Sequence, residues 1–393
     1  MESGKTLRIK NALFVTNTLE SDKFLYIKDG KILAITEETL PFDGEIDAEG
    51  LYVSPGFVDI HTHGAGGFDY ADGGVDDILN AAYAHAKSGV TTVFPTAPSL
   101  ATDEIETFVL NVKEAMKHNA PGRPHIAGSH LEGPYFADAQ RGAQNPLYIK
   151  APVFEEYDRW VTLAEGTLRR ISFAPELEGS RELCAYLRER GIVAGFAHTD
   201  GIYEEIKPLI DLGCTVATHL YSGMNTVTRR NMHRKLGAVE TALLEDAVNV
   251  EVIADGVHLP PALLKLIYKI KGDEHICLVT DSMRGSGMPS GPSVLGPRLT
   301  GMPCYVEKDD VAYLVDKSAF AGSVATGARL VKTMYKKVGI PLESVIKMAC
   351  AVPARVMGVQ DRGQLLVGSY ADLVFFDEEI NIHRVFVEGK ELL

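Results

Sequence analysis

The sequence predicts an α/β protein: a (β/α)8 barrel of the TIM type, carrying a small β-sandwich built from both ends of the chain. Three observations lead there. The middle of the chain alternates short β-branched apolar runs with longer amphipathic stretches, the runs number eight, and both chain ends read as β without helical period. Eight parallel strands close a barrel, and about 300 residues suits one that carries insertions.

At the N-terminus, Phe24–Lys28 and Lys31–Ile35 flank Asp29-Gly30, the dipeptide that favours a type I′ hairpin. The eight runs follow: Gly56–His63, Thr91–Ala97, His125–Gly133, Arg170–Glu176, Val193–Thr199, Cys214–Leu220, Val248–Gly256 and His275–Asp281. Helical stretches lie between them, among them Asp76–Lys87, Thr102–His118, Tyr203–Leu212 and Pro261–Lys271, several closed by Gly. Gly363–Leu366, Ala371–Phe376 and Arg384–Gly389 read again as strands and turns. Because chain termini commonly lie close together, residues 1–55 and 362–393 are expected to form one small β domain, with the barrel over 56–361.

An open doubly wound sheet would also alternate, but it carries a glycine-rich phosphate loop after its first strand. Here that strand ends His61-Thr-His-Gly-Ala-Gly-Gly67, so two histidines precede the glycines. The other glycine cluster, Gly285-Ser-Gly-Met-Pro-Ser-Gly291, has the wrong spacing and a Pro where a helix should begin, and reads as a plain loop.

The 393 residues hold 53 acidic against 39 basic side chains, a formal charge of −14, which argues against a nucleic-acid partner because phosphate binding needs a basic face. A hydrophobic content of 46% excludes a disordered or fibrous chain. Met1–Val15 has no apolar run long enough for a signal peptide or a membrane span, so a cytoplasmic protein without a membrane partner is expected. Five scattered cysteines with no Cys-x-x-Cys pair are expected to be reduced and buried.

Barrel active sites are built from the C-terminal ends of the strands. There the runs deliver His61 and His63, Glu132, His198, His219 and Asp281. Residues two apart on a strand share a face, so His61 and His63 can reach one cation. A lone strand-end histidine is more often a core or loop residue, and His85, His118, His125, His275 and His383 are read that way. Six ligand types on one rim are harder to assign to chance. Imidazole with carboxylate suits zinc, iron or manganese rather than calcium or magnesium. Such an ion with an open position lowers the pKa of a bound water to about 7.

Pro55–Gly64 with its His-Thr-His, His130-Leu-Glu-Gly-Pro134, His198-Thr199, Thr218-His-Leu-Tyr221, Ala254-Asp-Gly-Val-His258 and Val279-Thr-Asp-Ser282 together resemble the N-acetylglucosamine-6-phosphate deacetylases of the amidohydrolase superfamily. Phe320–Ser323, Pro353–Arg355 and Gly368–Val374 extend the resemblance over nearly the whole chain. His-x-His marks only the superfamily, whereas His-Leu-Glu-Gly-Pro marks this branch. Dihydroorotases and hydantoinases bridge two metals with a carboxylated lysine on the fourth strand. This chain has no lysine between Lys150 and Lys207, so the bridging role falls to Glu132.

The resemblance implies that Glu132, His198 and His219 hold one divalent transition metal, with His61, His63 and Asp281 contributing to a second site. Zinc is expected, with iron and manganese as alternatives, at one or two ions per chain. Asp281 is expected to act as general base and then general acid on the amide of N-acetyl-D-glucosamine 6-phosphate; a helix cap is its bland alternative. His258 would contact the sugar or polarise the acetyl oxygen, or else be an ordinary loop histidine. Gln144, Ser222, Gly223 and Arg234 would bind the phosphorylated amino sugar, although Ser222-Gly-Met224 departs from the family's Asn-Ala-Met; His233-Arg-Lys-Leu-Gly237 keeps the arginine of the family's His-Arg-Glu-Pro-Gly phosphate segment. His130 is read as a buried neighbour of the ligands. The resemblance also implies a homodimer whose second subunit reaches toward the phosphate. Three rivals stay open: an N-acetylgalactosamine 6-phosphate deacetylase, a non-catalytic paralogue, and a deaminase of the same superfamily.

Overall fold

The computed structural model describes residues 4–308 and 311–393. Eight parallel strands follow one another around a barrel: Phe57–Thr62, Val90–Ala97, Ser129–Glu132, Leu168–Phe173, Val193–Phe196, Cys214–Ala217, Asn249–Val252 and Ile276–Leu278. The eighth meets the first where the Asp281 amide donates to the His61 carbonyl at 2.9 Å. A helix follows each of the first seven strands: Val75–Ala86, Thr102–Met116, Phe154–Ala164, Ser180–Glu189, Tyr203–Asp211, Ala238–Leu244 and Pro261–Lys271.

Helix Thr102–Met116 illustrates why these segments are helical. Ile105, Phe108, Val109 and Val112 repeat at helical spacing and are buried. At its start, Glu104 accepts a hydrogen bond from the Ala101 amide at 3.1 Å, satisfying one donor that the first turn leaves free. Pro261 opens its helix at the position where a missing N–H costs nothing.

Both chain ends build the small β unit. Strands Lys390–Glu391, Ile382–Val387, Leu373–Phe376, Tyr52–Pro55, Leu13–Val15 and Leu19–Glu20 lie side by side in that order, so C-terminal strands pair directly with N-terminal ones. A second sheet orders Lys31–Thr36, Phe24–Lys28, Thr6–Lys10 and Gly44–Asp47. Ile9, Phe14, Leu25, Ile27, Val53, Leu373 and Phe375 fill the space between them. The Asp29-Gly30 turn has positive φ at both residues (49° and 78°), as a type I′ turn requires.

Two expectations are corrected, and one sheet is added to them. The third run is not continuous: His125–Ile126 and Ser129–Glu132 are separate strands. Gly128 between them adopts φ 142°, and a Cβ there would lie 2.2 Å from Arg169 Cγ, so the chain kinks where it crowds its neighbour. Gly363–Leu366 forms no strand; Leu365 alone packs into the small core, while Leu366 stays exposed. Beyond the loop expected at 285–291, the chain makes an antiparallel sheet of Gly291–Leu295, Met302–Val306 and Ala312–Leu314 around Met283, Cys304 and Ala321. Glycine and proline in these short strands hide their period.

No helix among the described residues is long and apolar enough to cross a membrane, and each of the five cysteines is buried and free. The joint between β unit and barrel is Gly56, whose amide donates to Asp372 O at 2.8 Å and whose missing Cβ would stand 2.0 Å from Thr91 Oγ1. Gly56→Ala is expected to lower the unfolding free energy by about 1–3 kcal/mol through overpacking. The check is the urea midpoint at constant slope; an unchanged midpoint contradicts the packing at this joint.

Candidate metal centre

The first barrel strand ends in His61 and Thr62, with His63 just beyond it. Glu132 ends the third strand, while His198, His219 and Asp281 follow the fifth, sixth and eighth by two or three residues. Those three residues sit at φ 44°, 30° and 46°, left-handed backbone that non-glycine residues rarely adopt and that costs of order 1–3 kcal/mol each. Each turn is pinned by hydrogen bonds. The His219 amide donates to Glu251 Oε2 at 3.1 Å, the Ser323 amide to Asp281 O at 2.7 Å, and the Thr199 amide to Gly223 O at 3.0 Å. The strain turns three side chains inward from strands that would otherwise carry them past the centre.

Glu132, 2% exposed, lies in the middle of the group. Its Oε1 is 2.8 Å from His219 Nε2 and 3.0 Å from His198 Nε2, while its Oε2 is 3.2 Å from His63 Nε2 and 3.8 Å from His61 Nε2. Asp281 Oδ1 is 3.2 Å from His63 Nε2 and 3.5 Å from His61 Nε2. Among the described residues, two overlapping donor triads form, His61–Glu132–His219 and His61–His63–Asp281. His61 thus stands in both triads, and His198 reaches the same carboxylate from outside them.

The far sides of the imidazoles fix how they face this centre. His63 Nδ1 lies 3.1 Å from Thr96 O and His198 Nδ1 2.8 Å from Gln140 O. A carbonyl only accepts, so each Nδ1 carries a proton and Nε2 is the nitrogen left to face the centre. His61 Nδ1 faces Glu251 Oε2 at 3.0 Å in the same way, and His61 Nε2 is buried without a hydrogen-bond partner.

The electrostatics suit a cation. Burial pushes His63 down, but the Asp281 and Glu132 carboxylates outweigh it and hold its pKa up at about 9. Burial likewise opposes charge on Asp281 and Glu132, yet the surrounding imidazoles keep both below the ordinary carboxylate range. A divalent ion replaces protons on such a centre and satisfies the same carboxylates.

The centre opens into a cavity lined by Gln144, Ser222, Gly223, His258, Leu295, Ala319 and Phe320. His258 Nδ1 is 2.7 Å from Asp255 Oδ2, and its ring packs 4.3 Å from that of Phe320. Gln144 is engaged at both ends: its amide donates to Glu132 Oε2 at 2.8 Å and its oxygen accepts from the Ser99 amide at 2.7 Å. A Cβ on Gly223 would stand 2.5 Å from His198 Nδ1 and 2.8 Å from Gln140 O, so the alanine of the related motif has no room here. Arg234 is not brought in. It lies exposed on a hairpin of Thr228–Arg230 and His233–Lys235, and the described cavity lining holds neither Arg nor Lys.

Sequence reading missed Glu251, Arg170 and the wall from the inserted sheet, since mid-strand charges and irregular strands carry no strand-end signal. Of the histidines read as structural, burial lowers His85 to about 4 and His125 to about 3, the mark of neutral core groups. His130 is fully buried, with Nε2 2.8 Å from Ser172 Oγ.

The amidohydrolase family model matches residues 52–392. The chain belongs to the amidohydrolase family. Among its amidohydrolase relatives, an N-acetylglucosamine-6-phosphate deacetylase of Vibrio furnissii is 31% identical over 92% of this chain and 88% of its own. An N-acetylgalactosamine-6-phosphate deacetylase of Escherichia coli O157:H7 is 30% identical over 94% of each. The structure of a Mycobacterium smegmatis N-acetyl-D-glucosamine-6-phosphate deacetylase mutant, in complex with N-acetyl-D-glucosamine-6-phosphate, matches at TM-score 0.90 and 29% identity over 100% of both chains. An amidohydrolase carries a divalent metal, and the donor set with its inward Nε2 atoms fits one.

Because His63 is raised to about 9, the proton it holds in the metal-free centre stabilises the fold fully below about pH 6.5 and is lost as pH rises through about 9. A metal ion must displace that proton. Metal affinity is therefore expected to tighten by roughly tenfold per pH unit between pH 7 and 9 and then level off. Chelator competition across this range measures it, and a dissociation constant independent of pH contradicts the charge balance described.

Proposed function

We propose that this amidohydrolase removes the acetyl group from N-acetyl-D-glucosamine 6-phosphate, giving D-glucosamine 6-phosphate and acetate. The observation that carries the reading is Glu132 set between four imidazoles with Asp281 beside them, in a chain whose relatives over nearly full length are named as deacetylases of N-acetylhexosamine 6-phosphates. Zinc, with iron or manganese as alternatives, would be held at one or two positions by His61, His63, Glu132, His198, His219 and Asp281. When bound, it supplies Lewis acidity toward water and the amide carbonyl.

Asp281 takes the proton of the attacking water. It returns that proton to the amide nitrogen as the carbon–nitrogen bond breaks, so neutral amine and acetic acid leave, and the acid gives up its remaining proton to solvent as acetate. His258 presents Nε2 to the developing oxyanion, with Nδ1 held by Asp255. Burial alone would raise the Asp255 carboxyl, but its bond to His258 holds it below the ordinary range, so it stays an ionised acceptor that fixes the ring. Leu295, Ala319 and Phe320 limit water around the reacting amide.

For the phosphate, the Ser222 hydroxyl and the Gly223 amide are the donors at the cavity lining, since the Ser222 amide is taken up by His219 O at 2.9 Å. Arg234 serves the cavity of a second copy of the chain. Its exposed hairpin, with Met232 92% exposed beside it, supports a homodimer. Residues 56–361 form the catalytic domain and 1–55 with 362–393 the small β domain. A phosphorylated substrate and five buried free thiols fit a cytoplasmic location.

A second reading, the galacto epimer, rests on Ser222-Gly223 and on the E. coli relative. We expect kcat/KM to be higher on the gluco substrate; the reverse order replaces the first reading with the second. Asp281→Asn should retain metal and lose more than about a hundredfold in kcat, and near-normal turnover in the metal-loaded variant removes the general-base role. Mixing inactive Asp281→Asn with an Arg234→Ala variant should restore acetate release, since one site of each hybrid then has both groups. No recovery after subunit exchange contradicts an arginine shared between chains.

A further inference from the structure

Beneath the donors, the barrel interior holds a layer of polar side chains that the proposed reaction does not use. Glu251, Arg170, Thr218, Ser172, His130 and Thr96 come from or directly follow five different strands and are all fully buried. Glu251 Oε1 pairs with Arg170 Nη1, and Arg170 Nη2 donates to Thr218 Oγ1 at 2.7 Å. Thr218 Oγ1 is 3.0 Å from Ser172 Oγ, which meets His130 Nε2 at 2.8 Å; His130 Nδ1 in turn lies 3.2 Å from Thr96 Oγ1. Gly195 on the fifth strand leaves the space that the guanidinium occupies, since a Cβ there would be 3.2 Å from Arg170 Nε.

Stability does not explain this layer. Barrel interiors are ordinarily filled by branched apolar side chains, and an apolar pair of equal volume generally serves a fold as well as a buried ion pair. Ligand geometry does explain it. His63 and His198 take their tautomers from backbone carbonyls, which any sequence supplies, whereas His61 takes its tautomer from a side chain, Glu251 Oε2 at 3.0 Å. The same oxygen accepts the His219 amide at 3.1 Å, within the strained turn that aims His219 inward. Arg170 cancels the Glu251 charge, so the centre gains an oriented acceptor without a third net negative charge.

We infer that Glu251 is the positioning residue that makes His61 a ligand, and that occupancy by a second ion at His61–His63–Asp281 depends on it. The inference rests on the metal-centre reading above.

The test compares zinc binding by the full-length protein, Glu251→Gln, and the double variant Glu251→Leu/Arg170→Met, which replaces the ion pair with apolar volume and leaves no unpaired buried charge. Elemental analysis after dialysis gives stoichiometry, chelator competition gives stepwise dissociation constants, and Tm reports the fold. The parent chain should bind two zinc ions. Both variants should keep one ion near its parental constant and bind the other roughly 10–100-fold more weakly, with the double variant as thermostable as the parent. Two ions at parental constants in the double variant overturn the inference, as does a parent that takes only one ion. A parent that binds no zinc, iron or manganese overturns the metal centre itself, a result distinct from the failure of Glu251.

Discussion

Everything at this barrel mouth depends on one buried carboxylate facing four imidazoles. Glu132 could not ionise there alone, because burial penalises its charge; His198, His219, His61 and His63 hold it well below the ordinary range. Protons on the surrounding imidazoles balance that charge, and a divalent ion takes their place. Every neighbouring feature serves to keep Nε2 lone pairs and carboxylate oxygens convergent on the same small volume.

Convergence has structural costs, and the fold meets them locally. Three donors occupy left-handed backbone, and hydrogen bonds at or beside them run to Glu251, Ser323 and Gly223. Gly223 lies against His198 because no side chain fits there, and Gln144 spans from the Ser99 amide to Glu132. The second row of contacts is as specific as the first, as expected when ring orientation decides whether an imidazole ligates at all.

How much of this could be read from the chain depended on whether a residue's role was tied to strand periodicity. The barrel, its helices and the meeting of His61, His63, Glu132, His198, His219 and Asp281 at its mouth were legible, since strand ends are marked by the switch from apolar run to polar residue. Glu251 was not: inside Asn249–Val252 it looks like the outward residue of an alternating strand, yet it points into the barrel. Arg170 hides beside Arg169 for the same reason, as only the register decides which of the pair is buried. The sheet over 291–314 was illegible because its short strands carry glycine and proline, and the exposed position of Arg234 follows from a hairpin that motif matching cannot see.

Anomalous diffraction at the zinc edge from crystals of the metal-loaded protein tests the central claim most directly. The account predicts a peak within about 2.0–2.2 Å of Glu132 and of inward-facing histidine Nε2 atoms, with the Nδ1 atoms of His61, His63 and His198 still on Glu251, Thr96 and Gln140. A peak elsewhere in the molecule, or ligation through those Nδ1 atoms, would contradict it.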